Sequence, residues 1–295
     1  MDCYANSSEV LEKLSGVQLG ATQIYRLTDL YGKGVKDIVN ADRILTPLKE
    51  KELLYAQADG SMVLTRKEGW KEVKLGRIFK SGDCIHAGSK QGWISNSQYV
   101  AHLGGSKDFT KIMDDLIDSY GPLGERLIFI SDGAPWIKNW VEDAFPKAVS
   151  ILDYYHACEH LHGFSSNFFK DEDAGKTWAG LQKELLMEGK VLDVINNIKL
   201  LAGNNNQGAN ELIAYYESNK ERMDYKKYRQ LGAGIIGSGA IESAHRTVIQ
   251  ERMKLSGQRW SKGGAQNMLN LRVINKNHQW GKIVEMSKHG FQATG

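Results

Sequence analysis

Leu127-Ile128-Phe129-Ile130-Ser131, followed without a break by Asp132-Gly133-Ala134-Pro135-Trp136, is the stretch on which the fold turns. A short, wholly apolar run bounded by turn residues predicts a strand buried on both faces at the centre of a sheet. Asp132 then stands at the carboxyl end of that strand, where α/β sheets place their sites. Taken alone it has a second reading, as a cap for the short helix that follows.

Working outward, Leu53 to Thr65, Trp70 to Lys80 and Gln98 to Leu103 are β-rich runs joined by glycine and charged turns. They predict three consecutive antiparallel strands. Phe109, Ile112, Met113, Leu116 and Ile117 share one face of a helix expected over Lys107 to Tyr120, closed by Gly121-Pro122. Ala148 to Leu152 reads as another buried strand, with a helix from about Tyr154. Three strands, then helix, strand, helix, strand, helix make a mixed α/β sheet.

The flanks are helical. Ser7 to Gly34 reads as two short helices separated by Gly16, with Val10, Leu11 and Leu14 on the first and Ile24, Leu27 and Leu30 on the second. That is a helix-turn-helix-like spacing, shared by purely structural helix pairs. Residues from Asp171 to Gln230 lack strand-like runs and carry Lys, Glu, Asn and Leu at helical spacing, as a helical insertion would. Another helix starts near Gly239 and runs past Arg252, and a last one covers about Ser261 to His278. The expected organisation is a helical N-terminal segment over 1–48, a catalytic domain over 49–170 and 231–295, and an insertion over 171–230.

A chain of 295 residues, 41% hydrophobic and 25% charged, can bury a core as one large domain or as one domain with an insertion. No apolar run approaches the roughly 20 residues of a membrane span. The early Asp2, Glu9 and Glu12 do not fit a signal peptide, so the expected location is the cytoplasm, with no membrane partner. Cys3, Cys84 and Cys158 are odd in number and far apart, which excludes a disulfide framework and a CxxC module. The net charge is +3, yet from Arg222 onward thirteen Lys and Arg face four Asp and Glu, 13 − 4 = +9, leaving 3 − 9 = −6 for residues 1–221. The basic part reads either as a phosphate-contacting surface or as solvated helix faces.

The acids carry the chemistry. Asp59, in Ala56-Gln57-Ala58-Asp59-Gly60-Ser61, falls inside the first β run, where an aspartate is disfavoured and costly to bury unpaired. Two carboxylates at the ends of neighbouring strands can share hard, oxygen-seeking cations. The best third acid is Glu242, in Gly237-Ser238-Gly239-Ala240-Ile241-Glu242-Ser243-Ala244-His245-Arg246. Its glycines would let backbone or a nucleic-acid strand approach closely, and its second reading is a first-turn glutamate favoured by the helix dipole. Arg246, Arg252, Lys254 and Arg259 flank it as candidate phosphate contacts.

In that order, Gln57-Ala58-Asp59-Gly60, Ser131-Asp132-Gly133-Ala134-Pro135-Trp136-Ile137, Ile151-Leu152-Asp153-Tyr154-Tyr155-His156-Ala157-Cys158-Glu159-His160-Leu161 and Gly237 to Arg246 resemble the Asp-Asp-Glu transposases of bacterial insertion sequences. The likeness is to their Kra-type group and, more distantly, to Mutator-type enzymes, and it runs from about Ser8 to Trp280. It implies a ribonuclease H-like fold with a helical insertion and a catalytic, metal-binding trio of Asp59, Asp132 and Glu242. It implies two Mg²⁺ or Mn²⁺ ions, DNA as partner, transposon ends and target alike, and a homo-oligomer on DNA in the bacterial nucleoid. Asp153 and His156 match an Asp-x-x-His element that would support the site. The family usually carries a longer N-terminal DNA-binding region than this chain shows. A silent DNA-binding relic or regulator, or a nuclease of the same fold, is the alternative.

Three further features also have a functional reading. Gly232-Ala233-Gly234-Ile235-Ile236-Gly237 matches a dinucleotide fingerprint in letters, but the charged run before it is no buried strand. His156, Cys158, His160 and His162 could be read as zinc ligands but lack a companion motif. Trp178 could stack on an extruded base, against an ordinary core role.

Overall fold

The computed structural model describes residues 3–36, 46–87, 92–203 and 205–288, so part of the expected N-terminal segment, 1–2 and 37–45, lies outside the described residues. Strands β1 (Leu54–Thr65) and β2 (Gly69–Lys80) form a long hairpin that turns through Gly69 at φ 69°. A two-stranded ribbon, β3 (Cys84–His86) with β4 (Gly92–Ile94), precedes β5 (Gln98–Leu103). Strands of three residues are too short for any periodicity to announce them, so the sequence gives no sign of this ribbon. β6 (Leu127–Ser131) and β7 (Val149–Leu152) complete a five-stranded sheet in the order β5-β2-β1-β6-β7. β1 runs parallel to β6, β6 parallel to β7, and β2 antiparallel to both of its neighbours. The expected mixed α/β sheet is therefore present, with β6 fully buried as its apolar run requires.

Strand alternation gives the sheet two different faces. Leu54, Ala56, Ala58, Leu127 and Phe129 point to one face, covered by α3 (Ser106–Asp118) through Phe109 and Met113 and by α4 (Pro135–Ala144) through Ile137. The other face carries two separate cores. At one end Tyr55, Ile128 and Ile130 pack under α5 (Tyr154–Phe168) and the helices α6 (Glu172–Met187), α7 (Val191–Ala202), α8 (Gln207–Asn219) and α9 (Tyr225–Tyr228). The helices expected to form an insertion share this core with the sheet, through Leu186, Val194, Tyr216 and Tyr225. Trp178 packs there against Phe164 and Phe169.

At the other end Val63, Val73 and Leu75 meet a helical run of α10 (Gly239–Ala244), a π-helical segment (His245–Gln250) and α11 (Glu251–Met253), together with α12 (Lys262–Lys276). The N-terminal pair α1 (Tyr4–Ser15) and α2 (Ala21–Gly34) rests on this end. Gly16 closes α1 in the left-handed region, and Gly32 touches α12 so closely that a Cβ would sit 2.4 Å from the Asn267 carbonyl oxygen. Leu14, Leu27 and Leu30 remain exposed. α13 (Trp280–Lys288) follows α12, and among the described residues no helix is long and apolar enough to cross a membrane.

Candidate active site

Asp59 and Asp132 meet because of strand register. β1 and β6 pair from Leu54 with Leu127 to Gln57 with Ile130, and the same offset carries on to Asp59 and Asp132. Both continue the series Tyr55, Gln57 and Ile128, Ile130, so they fall on the two-core face, where the cores part. Asp132 Oδ1 accepts the Ala134 amide at 3.0 Å. This is a side-chain turn over Gly133 (φ 88°), not a helix cap, since the residue capping α4 is Ala134. Gly133 has little room for a side chain: a Cβ would come within 2.9 Å of Leu152.

A buried glutamine delivers the third acid. Gln57 is fully buried; its Nε2 donates to the Gly237 carbonyl at 3.0 Å and its Oε1 accepts the Ile241 amide at 2.9 Å. The start of α10 is thus fastened to β1, two residues from Asp59. Arg77 of β2 adds a bond from Nη1 to the Ala240 carbonyl at 2.6 Å, and burial holds its guanidinium below the usual arginine range. Glu242 follows, its Oε1 accepting the Ser238 hydroxyl at 2.7 Å. Of the two glycines beside Ser238, Gly237 is required by protein packing, because a Cβ would lie 2.4 Å from the Tyr155 ring, whereas Gly239 faces open space.

Asp153 caps α5 by accepting the Tyr155 amide at 2.9 Å, and Ser238 Oγ lies against its other oxygen. Ser238 therefore stands between Asp153 and Glu242. Burial raises the Asp153 carboxyl above the ordinary range, with the Ser238 hydroxyl and the Tyr155 amide opposing that rise. His156 turns Nδ1 toward Glu159 at 3.3 Å and Nε2 toward His160 Nε2 at 3.3 Å. Residues after α7 brace the strand ends: buried Arg222 donates to Ser131 Oγ at 2.7 Å, and the Tyr215 hydroxyl donates to the Asp132 carbonyl at 3.1 Å.

Asp59, Asp132, Asp153, Glu159 and Glu242 line one pocket of about 180 Å³, with His156 at its wall. The Asp-Asp-Glu trio and the Asp-x-x-His pair expected from sequence are thereby brought together. Each acid of the trio rests on a protein group: Asp59 beside buried His245 (Nε2 to Oδ2 3.2 Å), Asp132 on the Ala134 amide, Glu242 on Ser238. Among the described residues, no three His, Cys, Asp or Glu side chains are drawn in as a ready metal cluster. The donor set still fits Mg²⁺ or Mn²⁺, which take a few carboxylate oxygens and keep waters. Five carboxylates also repel a phosphodiester, and cations are what would let the two meet.

The basic candidates divide. Arg246 and Arg259 are exposed, and Lys254 donates to Ser61 Oγ at 3.0 Å. Arg252 is buried between the rings of Tyr4 and Trp260. Part of the basic surplus is structural, since Arg222 is buried and Arg272 donates to the Val248 carbonyl at 2.6 Å. Of the histidine-rich helix, Cys158 turns into the core and His162 is exposed. The loop spelling the dinucleotide fingerprint follows the short helix α9, not a strand.

Sequence reasoning missed Gln57, Ser238 and His245 as site residues. Gln57 and Ser238 stood inside the quoted motifs, and a polar residue two positions from Asp59 on the same strand face was the available signal. His245 opens the π-helical segment one turn after Glu242. Such bulges concentrate at functional sites, but nothing in the letters announces them.

Comparison with known proteins gives a family without an activity. The model of the Uncharacterised protein family (UPF0236) matches residues 2–290. The chain is 26% identical over 289 residues to the "UPF0236 protein in vanSb 3'region" of Streptococcus gallolyticus, an alignment covering 93% of this chain and 60% of that protein. It is 24% identical over 283 residues to a UPF0236 protein of Caldanaerobacter subterraneus subsp. tengcongensis, covering 87% of this chain and 55% of that one. The chain thus spans little more than half the length of the curated relatives it matches. With 289 of its positions inside the family match, it belongs to the uncharacterised protein family UPF0236.

Proposed function

We propose that this chain is the catalytic core of an Asp-Asp-Glu DNA transposase of ribonuclease H-like fold, cleaving DNA strands at insertion-sequence ends and transferring them to a target. One observation carries the reading: Asp59 on β1, Asp132 after β6 and Glu242 on α10, remote in sequence, line a single pocket. The sheet supports the fold assignment, with three antiparallel strands first, two parallel strands after them, and the third acid on a helix packed beside the first strand.

Two Mg²⁺ or Mn²⁺ ions held by Asp59, Asp132 and Glu242 would activate the attacking oxygen and stabilise the leaving one. The chain's own part is to hold those carboxylates. Gln57 and Arg77 fix the start of α10, and Ser238 orients Glu242 through its hydroxyl. Asp153 and His156 support the pocket wall, and His245 backs Asp59. No covalent protein nucleophile is needed. Exposed Arg246 and Lys254 beside the pocket suit phosphate contact. Location in the bacterial nucleoid and assembly of several copies on DNA belong to the same reading.

The test is Mg²⁺-dependent cleavage of DNA carrying the element's own ends. Glu242→Gln should lose cleavage by orders of magnitude while folding as the parent does, and Glu159→Gln should lose no more than 10- to 100-fold. Parent-like cleavage by Glu242→Gln with loss in Glu159→Gln would move the third acid to α5. Binding without any cleavage by the parent would favour the silent relic, and cleavage without strand transfer the nuclease.

A further inference from the structure

Far along β1 from the acids, the structure holds a second pocket, of about 620 Å³, and among the described residues its lining contains no Asp or Glu. It contains three arginines instead. Arg252 is only 8% exposed, its guanidinium 4.8 Å from the Tyr4 ring centroid and 5.2 Å from that of Trp260. Among the described residues it has neither a hydrogen-bond nor an ion-pair partner, although a buried cation is costly without one. Stacking between two aromatic faces offsets part of that cost and leaves the guanidinium donors available to an oxyanion. Arg66 and Arg259 reach the same pocket, Arg66 Nε donating to the Arg259 carbonyl at 3.2 Å.

The backbone adds its own positive field. Three helices begin at this pocket: α1 at Cys3 and Tyr4, α2 at Ala21 and Thr22, and α12 behind Ser261. None of the three has an acidic residue in its first turn, although helix starts favour acids there. Amide-lined helix starts, a buried unpaired guanidinium and two further arginines converge on one concave site that has no carboxylate among the described residues, the composition that binds a phosphate.

We propose that this pocket is a phosphate-binding site that grips the DNA backbone away from the reacting acids. Its identification with DNA rests on the transposase reading; the anion site itself does not. Trp260 is tied to β1, its amide donating to the Leu64 carbonyl at 3.0 Å, while the Arg66 amide donates to the Trp260 carbonyl at 2.8 Å. At about 3.3 Å per strand residue, Asp59 and Arg66 lie on the order of 20 Å apart. A duplex spans that distance in about six base pairs, so one DNA can engage both pockets.

The experiment uses Glu242→Gln protein, which leaves DNA uncut, and a fluorescein-labelled duplex carrying the element's ends, with anisotropy read across a salt series. Adding Arg66→Ala and Arg259→Ala, both at exposed positions, should weaken binding at least tenfold at 0.1 M salt. The slope of log affinity against log salt should fall by about two. Arg252→Lys should keep more affinity than Arg252→Met, with folding checked by circular dichroism. In the second arm, inorganic phosphate should raise the melting temperature of the parent and not of the Arg66→Ala/Arg259→Ala protein. Unchanged DNA affinity and salt slope in that double variant, with phosphate acting equally on both proteins, overturns the site and leaves the transposase reading standing. Phosphate stabilising only the parent, with no DNA bound by either, keeps the site and removes the transposase reading.

Discussion

The two pockets on one face of the sheet are built by opposite means. The acid pocket lies between two cores and is held by a buried polar network, in which Gln57 binds Gly237, Ser238 binds Asp153 and Arg77 binds Ala240, each a group from a distant segment. The arginine pocket is held differently: Arg252 is stacked on two rings, Arg66 rests on the Arg259 carbonyl, and three helices begin beside them. If the carboxylates bear cations, as proposed, the difference is one of need: metal ligands require rigid positioning, because misplaced ligands lose the ion. A site for a mobile phosphate chain needs field more than geometry.

If so, mutations should separate stability from binding at the two sites. The largest effect is expected for Gln57→Leu, which orphans the buried Gly237 carbonyl and Ile241 amide at roughly 1–3 kcal/mol each. Denaturant unfolding should show a loss of about 2–5 kcal/mol, and a loss below about 0.5 kcal/mol would mean that the start of α10 is held by something else. Ser238→Ala should fold normally and cleave 10- to 100-fold more slowly. Full cleavage by that variant would remove Ser238 as the group orienting Glu242.

A third difference depends on pH. Burial raises the Asp153 carboxyl in the folded chain above its unfolded value near 4. The folded state therefore binds this proton more tightly, and the stability it contributes is complete below the unfolded pKa and is lost as pH rises through the folded one. Asp153→Asn, which can still cap α5, removes that loss. Its melting temperature relative to the parent should climb with pH across the acid range and then level off, and a constant difference would contradict the raised carboxyl. The smallest effect is predicted for the arginine pocket: Arg66→Ala should change stability by no more than about 0.5 kcal/mol while weakening DNA binding.

The same contrast explains what was legible in the sequence. β6 is announced by five apolar residues, and Asp132 by standing directly behind them, because strand burial and strand-end sites are local consequences of composition. Asp59 was legible as a misfit in a strand. Glu242 needed a motif, since its meeting with Asp59 depends on Gln57 binding backbone 180 and 184 residues away. The arginine pocket was not legible: Tyr4, Ala21, Arg66, Arg252 and Ser261 come from five segments that only the packing of α2 and α12 on the sheet assembles. Charge counting could not tell buried Arg222, which braces Ser131, from buried Arg252, which stacks on Tyr4 and Trp260 and has no hydrogen-bond or ion-pair partner among the described residues.

The central claim is that the five-carboxylate pocket is a divalent-cation site. Its most direct test is Mn²⁺ binding followed by electron paramagnetic resonance, on the parent and on Asp59→Asn, Asp132→Asn and Glu242→Gln. The account predicts that the parent removes Mn²⁺ from the free signal, that Mg²⁺ competes for the same sites, and that each substitution weakens or abolishes the binding. A parent that binds no Mn²⁺ at millimolar concentration, or three variants that bind it as the parent does, would contradict it.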